Sequence, residues 1–233
     1  MLTKKRILIG IGGGIAVYRI AELARLLMKQ GAEVRCVMTK SACEFVTPLT
    51  FDALTGEQTH TELFDLTSER EMGHIQLARW ADAIVIAPAT ANLLTKLAYG
   101  IADDLLTTIM QVNESPVLIA PAMNASMWES DATKTNVATL LKRGFHFSGP
   151  ASGELACGEI GPGRLNEPDQ IINDLTPLLY KQVLTGQHWV LNAGPTWERW
   201  DAVRLLTNRA TGTLGVHLAN HASALGAKVT LIA

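Results

Sequence analysis

Apolar and polar positions alternate in blocks along the chain. "RILIGI" (6–11) is a short β-branched run, stopped by Gly12, Gly13 and Gly14. From there Ile15, Ile20, Leu23, Ala24 and Leu27 recur at helical spacing, and Gly31 ends the helix they predict. "AEVRCVM" (32–38) is the next strand, so the chain opens on a βαβ unit with parallel strands and a right-handed crossover. Further strands are predicted at 82–88, 115–121 and 145–149. Helices fill the gaps at about 41–54, with an interruption near Pro48, and at 74–80, 91–98, 103–111, 130–143 and 167–180. Every strand reads as apolar on both faces. The expected class is therefore α/β, a doubly wound parallel sheet in three layers, flavodoxin-like or Rossmann-like.

After "LLYKQVLTGQ" the pattern restarts: a strand at 188–194, a long polar connection over 194–212, a helix at 213–225 and a strand at 227–233. One βαβ unit cannot cover both faces of its own strands, so this piece reads as the incomplete opening of a larger domain, with the boundary near Gly186. The predicted organisation is one domain over 1–182 and part of a second over 187–233. Just before the boundary, "ASGELACGEIGPGR" (151–164) sets one cysteine among four glycines. Glycine loses so much backbone entropy in regular structure that a pliable loop is expected here.

Composition narrows the class. With 48% hydrophobic residues among 233, a sizeable core can form and disorder is not expected. The net charge of -2 and the lack of a basic run argue against a nucleic-acid partner. Three widely spaced cysteines suit neither a disulfide framework nor a metal site. "MLTKKRILIGIGGG" lacks the cleavage pattern of a secretion signal, and no apolar run has membrane-spanning length. A cytoplasmic protein with reduced thiols and no membrane partner is expected.

Candidate chemistry gathers where strands end. Glycines between a strand and a helix start let backbone N–H groups face an anion. The dinucleotide fingerprint G-x-G-x-x-G fails here, and the second strand ends in "MTKSA" rather than an acidic residue. Hydroxyls and a lysine suit a single phosphate better than a pyrophosphate, although a glycine turn with no ligand stays open as a reading. "APATANLL" (87–94) and "APAMNASMW" (120–128) each close a buried strand with Ala-Pro-Ala and then polar groups. In open parallel sheets ligands bind outside the carboxyl ends of the strands, which brings Thr39, Thr90 and Asn124 to one edge. Any one such asparagine is most often a helix cap. Free cysteine is most often a small buried residue, which describes Cys36 inside its strand better than Cys157 beside Gly158 and Glu159.

"GGIAVYR" (13–19), "GHIQLARWAD" (73–82), "PATANLL" (88–94), "PAMNASMW" (121–128) and "ACGEIGPGR" (156–164) together resemble the flavin-containing cysteine decarboxylases, and within them the phosphopantothenoylcysteine decarboxylases of coenzyme A biosynthesis. The resemblance covers about 1–182. "NAGPTWERWDAVRLLTNRATGTLG" (192–215) is similar to the opening of phosphopantothenate–cysteine ligases. Gly12 and Arg19 stand where the family turn commonly has Ser and Lys, and "ATG" (210–212) replaces Ser-Ser-Gly.

The resemblance implies FMN as cofactor, contacted by Gly13, Gly14, Ile15, Ala16, Thr39, Pro88, Ala89 and Thr90, and 4'-phospho-N-pantothenoyl-L-cysteine as substrate. It makes His74 the catalytic acid/base, Asn124 the holder of the substrate carboxylate and Cys157 the proton donor on a closing flap. From the residues alone His74 would be a surface histidine at a helix start. Met123, Asn124, Gly161, Gly163 and Arg164 are the implied substrate contacts, with Arg204 and Asn208 in the ligase-like piece. A homo-oligomer built from trimers, up to a dodecamer, is implied, with FMN between subunits. CTP and Mg2+ belong only to a complete ligase domain, so no ligase activity is expected from these residues. Flavin prenyltransferases share the fold but lack the Pro-Ala-Met-Asn and Ala-Cys-Gly pair, and a nicotinamide dehydrogenase lacks its fingerprint. A non-enzymatic phosphatase-inhibitory subunit of the same flavoprotein group is disfavoured by His74, Asn124 and Cys157 occurring together.

Overall fold

The computed structural model describes residues 2–63 and 73–232. It divides into two compact units, residues 1–175 and 176–233. In the first unit, β1 (Arg6–Ile11), β2 (Glu33–Met38), β3 (Ala83–Ala89), β4 (Val117–Pro121) and β5 (His146–Phe147) form one parallel sheet in the order β2-β1-β3-β4-β5. This is the doubly wound flavodoxin-like order, whose direction of winding reverses between β1 and β3. All seven residues of β3 and all five of β4 are buried, which is why both appear as unbroken apolar runs. Each fully buried aliphatic side chain here is worth about 1.5–3 kcal/mol.

Helices cover the sheet because their apolar positions fall on one face. In α1 (Tyr18–Lys29), Ile20, Leu23, Ala24 and Leu27 are buried, the i, i+3, i+4, i+7 set. The predicted 41–54 helix is two helices, α2 (Lys40–Cys43) and α3 (Pro48–Thr55), parted just before Pro48. Pro48 lacks the N–H an interior position needs and is accepted at a helix start instead. Next come α4 (Gly73–Trp80), α5 (Ala91–Tyr99), α6 (Leu105–Val112), the five-residue α7 (Ala125–Glu129) and α8 (Asp131–Lys142).

Several expectations need correction. The 145–149 strand shrinks to His146–Phe147, neither of them buried, because it lies at the sheet edge with a partner on one side only. The 167–180 helix stops as α9 at Leu175, and a 3-10 turn follows over Thr176–Leu179, where Pro177 cannot continue the α ladder. The glycine-rich 151–164 run is no irregular loop. It forms an antiparallel hairpin of β6 (Ala151–Glu154) and β7 (Ile160–Arg164), whose tip holds Cys157. At Gly163 another stretch of backbone, the Met123 carbonyl, comes too close for a side chain.

In the second unit, β8 (His188–Asn192) pairs in parallel with β11 (Lys228–Ile232), joined through α10 (Thr213–Ala224). The polar connection predicted over 194–212 contains a small antiparallel hairpin, β9 (Trp197–Arg199) with β10 (Leu205–Thr207). Its β-forming Trp, Leu and Thr residues were outweighed in the sequence by the charges between them. Ala233, the last residue of the predicted 227–233 strand, lies outside the described residues. No helix among the described residues is long and apolar enough to cross a membrane.

Candidate functional site

At the carboxyl edge of the five-stranded sheet lies a crevice of about 1180 Å³. Its floor is the glycine turn after β1, Gly12 to Gly14, together with Ile15 and Ala16 of the 3-10 turn (Ile15–Val17) that leads into α1. Gly13 is fixed by close approach. A Cβ there would stand 2.3 Å from Ser41 Cβ and 2.6 Å from the Ser41 carbonyl carbon, so the turn packs backbone to backbone on the start of α2. At Gly14 a Cβ would meet only Thr90 Cγ2, at an ordinary 3.6 Å. Gly13→Ala is therefore expected to destabilise the first unit by about 1–3 kcal/mol. Gly14→Ala is expected to cost under about 0.5 kcal/mol, and denaturant titration of the two variants measures the difference.

Three polar side chains at the strand ends each start a helix and also line the crevice. Thr39 Oγ1 accepts from Ala42 N–H at 3.3 Å and donates to the Ile11 carbonyl at 3.2 Å. Thr90 Oγ1 accepts from Leu93 N–H at 3.2 Å. Asn124 Oδ1 accepts from Ser126 N–H at 2.8 Å, capping α7. The capping role and the crevice-lining role are thus filled by the same residues.

That cap fixes the Asn124 amide, because with Oδ1 committed to α7 the Nδ2 hydrogens are left for the crevice side. Nδ2 donates to Glu159 Oε2 at 2.7 Å and lies 3.5 Å from Cys157 Sγ. The hairpin is seated on the same loop by a Met123 N–H bond to the Gly163 carbonyl at 2.9 Å. At Gly163, with φ +133°, a Cβ would stand 2.2 Å from the Met123 carbonyl oxygen. Asn124 and Cys157, 33 residues apart, are thereby held side by side on the crevice wall.

The charges lining the crevice are largely paired. Lys96 Nζ bonds Asp103 at 2.7 Å and Asp104 at 3.4 Å. The hydrogen bond that Lys96 donates to Asp103 holds the ammonium above its usual pKa, and the same bond holds the Asp103 carboxyl below its usual range. With one cation set against two carboxylates, the cluster offers little to an incoming phosphate. Arg19 donates to the Leu165 carbonyl and pairs with Glu167, which also takes Arg164 at 3.1 Å. These links tie α1 to the exit of the hairpin.

Of the residues predicted for the site, Gly13, Gly14, Ile15, Ala16, Thr39, Thr90, Met123, Asn124, Cys157, Gly163 and Arg164 line the crevice. Pro88 and Ala89 lie buried beneath it, with the Pro88 carbonyl against Gly12. Gly161 packs on Ala125 without lining it. His74, half-buried in the first turn of α4, does not line the crevice of its own chain. Arg204 and Asn208 belong to the second unit. There Arg204 pairs with Asp201 at 2.6 Å, and Asn208 Oδ1 accepts from Ala210 N–H. Sequence reasoning missed the Asn124–Glu159 contact and the Arg19–Glu167 pair. Glu159 is the acidic residue nearest the tip cysteine, which was the available signal. Nothing local connects positions 19 and 167.

A doubly wound sheet with a glycine turn and hydroxyl-capped helix starts at its switch point defines a nucleotide-type ligand-binding α/β protein. The family model described as Flavoprotein matches residues 1–179, and the chain belongs to that family. The model for the DNA/pantothenate metabolism flavoprotein C-terminal domain matches residues 184–233. The chain is 49% identical over 231 residues to the coenzyme A biosynthesis bifunctional protein CoaBC of Vibrio parahaemolyticus, and 42% identical over 233 residues to that of Escherichia coli K12. Each match takes in 99% of this chain but only 58% and 57% of those relatives, so the chain spans well under two thirds of their length. Among solved structures, a Cys-to-Ser mutant of PPC decarboxylase complexed with pantothenoylaminoethenethiol matches with TM-score 0.66 and 33% identity, over 74% of this chain and 96% of that one. The FMN binding protein AtHal3 matches with TM-score 0.64 and 35% identity, over 74% and 95%.

Proposed function

We infer that the first unit binds FMN in this crevice and decarboxylates 4'-phospho-N-pantothenoyl-L-cysteine to 4'-phosphopantetheine and CO2. The observation that carries the reading is the placement of Asn124 Nδ2 within 3.5 Å of Cys157 Sγ, on the wall of a crevice floored by a glycine turn. The likeness to a PPC decarboxylase and to CoaBC proteins supports it.

The residues present fit FMN. The glycine turn brings side-chain-free backbone to the crevice, where N–H groups can face a phosphate, and Thr39, Lys40 and Ser41 line it beside that turn. The crevice volume exceeds that of most single-ligand sites, as a cofactor and a substrate together require. When bound, FMN supplies the reversible two-electron sink that an N-acylated cysteine lacks, since such a substrate cannot form a Schiff base.

The chain's own groups do the rest. Asn124 Nδ2 receives the substrate carboxylate, and a neutral amide orients it without adding a cation that would oppose its loss. Cys157 Sγ gives its proton to the enethiolate left after CO2 departs. The hairpin tip covers the reacting carbon and keeps water from it. His74 is the proposed acid/base group, and because it does not line the crevice of its own chain, that role calls for a second copy to bring it there. A homo-oligomer is accordingly part of the reading, built from trimers that can assemble to a dodecamer. For the second unit, the 184–233 match supports a ligase-domain opening, in which Arg204 and Asn208 are proposed phosphopantothenate contacts.

The test is direct. FMN-loaded protein given phosphopantothenoylcysteine is expected to release CO2 and 4'-phosphopantetheine in equal amounts. Flavin-loaded, correctly folded protein that releases no CO2 would overturn the assignment.

A further inference from the structure

We propose that Glu159 is an internal occupant of the substrate-carboxylate position, holding the Asn124 amide until a carboxylated substrate displaces it. The inference rests on the decarboxylase reading, in which Asn124 Nδ2 receives that carboxylate. Asn124 Oδ1 is committed to Ser126 N–H at 2.8 Å, so the amide has only its two Nδ2 hydrogens to offer. One of them goes to Glu159 Oε2 at 2.7 Å, and Cys157 Sγ stands 3.5 Å from the same nitrogen. A carboxylate is the strongest acceptor this amide can find, and the arriving substrate brings the same chemical group.

The other Nδ2 hydrogen has Cys157 Sγ 3.5 Å from its nitrogen, and two carboxylates brought to one small amide repel each other, so the arriving substrate and Glu159 compete for it. Glu159 is able to leave because its side chain is exposed and the nearby backbone is anchored independently. Leu155 N–H bonds the Glu159 carbonyl at 2.8 Å, and Gly158 N–H bonds the Leu155 carbonyl at 2.9 Å. The side chain can therefore swing out while the tip keeps its turn and Cys157 its place. Once CO2 has left, the substrate has no carboxylate to contest the amide, and Glu159 returns. Glu159 thus acts as a positioning residue, working through Asn124. It disfavours binding of the carboxylated substrate relative to the decarboxylated product.

The competition has a signature that a merely structural role lacks. Removing Glu159 should strengthen binding of the carboxylated ligand alone. In flavin-loaded holoenzyme, Glu159→Gln is expected to lower KM for phosphopantothenoylcysteine by about fivefold, because a neutral amide oxygen holds Asn124 less well than a carboxylate. Glu159→Ala, which removes the acceptor, is expected to lower it by about tenfold. The inhibition constant of 4'-phosphopantetheine should stay at the wild-type value in both variants. A KM that is unchanged or raised, or a product inhibition constant that moves in step with KM, would sink the inference while leaving the decarboxylase reading intact. Wild-type holoenzyme that releases no CO2 would bring down both.

Discussion

Cys157→Ser is expected to release CO2 and then stop, leaving a decarboxylated product two hydrogens poorer than 4'-phosphopantetheine. A serine hydroxyl keeps the size of the thiol and its place beside Asn124 but is a much weaker acid, so the enethiolate is left without its proton donor. Formation of the saturated product should fall by about 10²-fold or more, the usual worth of a positioned general acid. Cys157 is exposed, so the variant should fold normally, and loss of product cannot be blamed on the sheet. Mass spectrometry of single-turnover mixtures separates the two products. Full turnover to 4'-phosphopantetheine by this variant would remove Cys157 from the reaction.

The second large effect is expected from a residue with no functional group. At Gly163, φ is +133° and a Cβ would lie 2.2 Å from the Met123 carbonyl oxygen, so alanine must push the hairpin off the loop that bears Asn124. The Met123 N–H bond to the Gly163 carbonyl would be lost with it. The displacement moves Cys157 away from Asn124, and a misplacement of about 1 Å at a reacting pair costs on the order of 10²-fold in rate. Gly163→Ala should therefore drop kcat/KM by about 10²-fold while the parallel sheet, which the hairpin does not join, keeps its circular dichroism. Activity within about threefold of wild type would show that the tip is positioned by something other than this contact.

The parallel sheet was legible because burial on both faces turns a strand into an apolar run, and glycine or proline closes each run in β1, β3 and β4. The crevice edge was legible for a related reason, since strand topology alone brings the residues after β2, β3 and β4 together. The 151–164 hairpin was not legible. The cost of ordering its glycines can be read from the chain, whereas the backbone of Met123 that excludes side chains there cannot. Contacts such as Asn124 with Glu159 and Arg19 with Glu167 join distant positions with no periodic signal, and they emerge only once the layers are assembled. The place of His74 carries a similar lesson, because a single chain's fold does not bring it to the crevice that its motif suggested.

Thr39, Thr90 and Asn124 each begin a helix while facing the crevice. Anyone wishing to redesign this protein for a different molecule would find those three positions closed to change, since altering one to suit a new guest also loosens a framework element. More freedom lies at Ala156 in the ribbon tip, which borders the guest's space while its neighbours Cys157 and Glu159 keep their ties to Asn124.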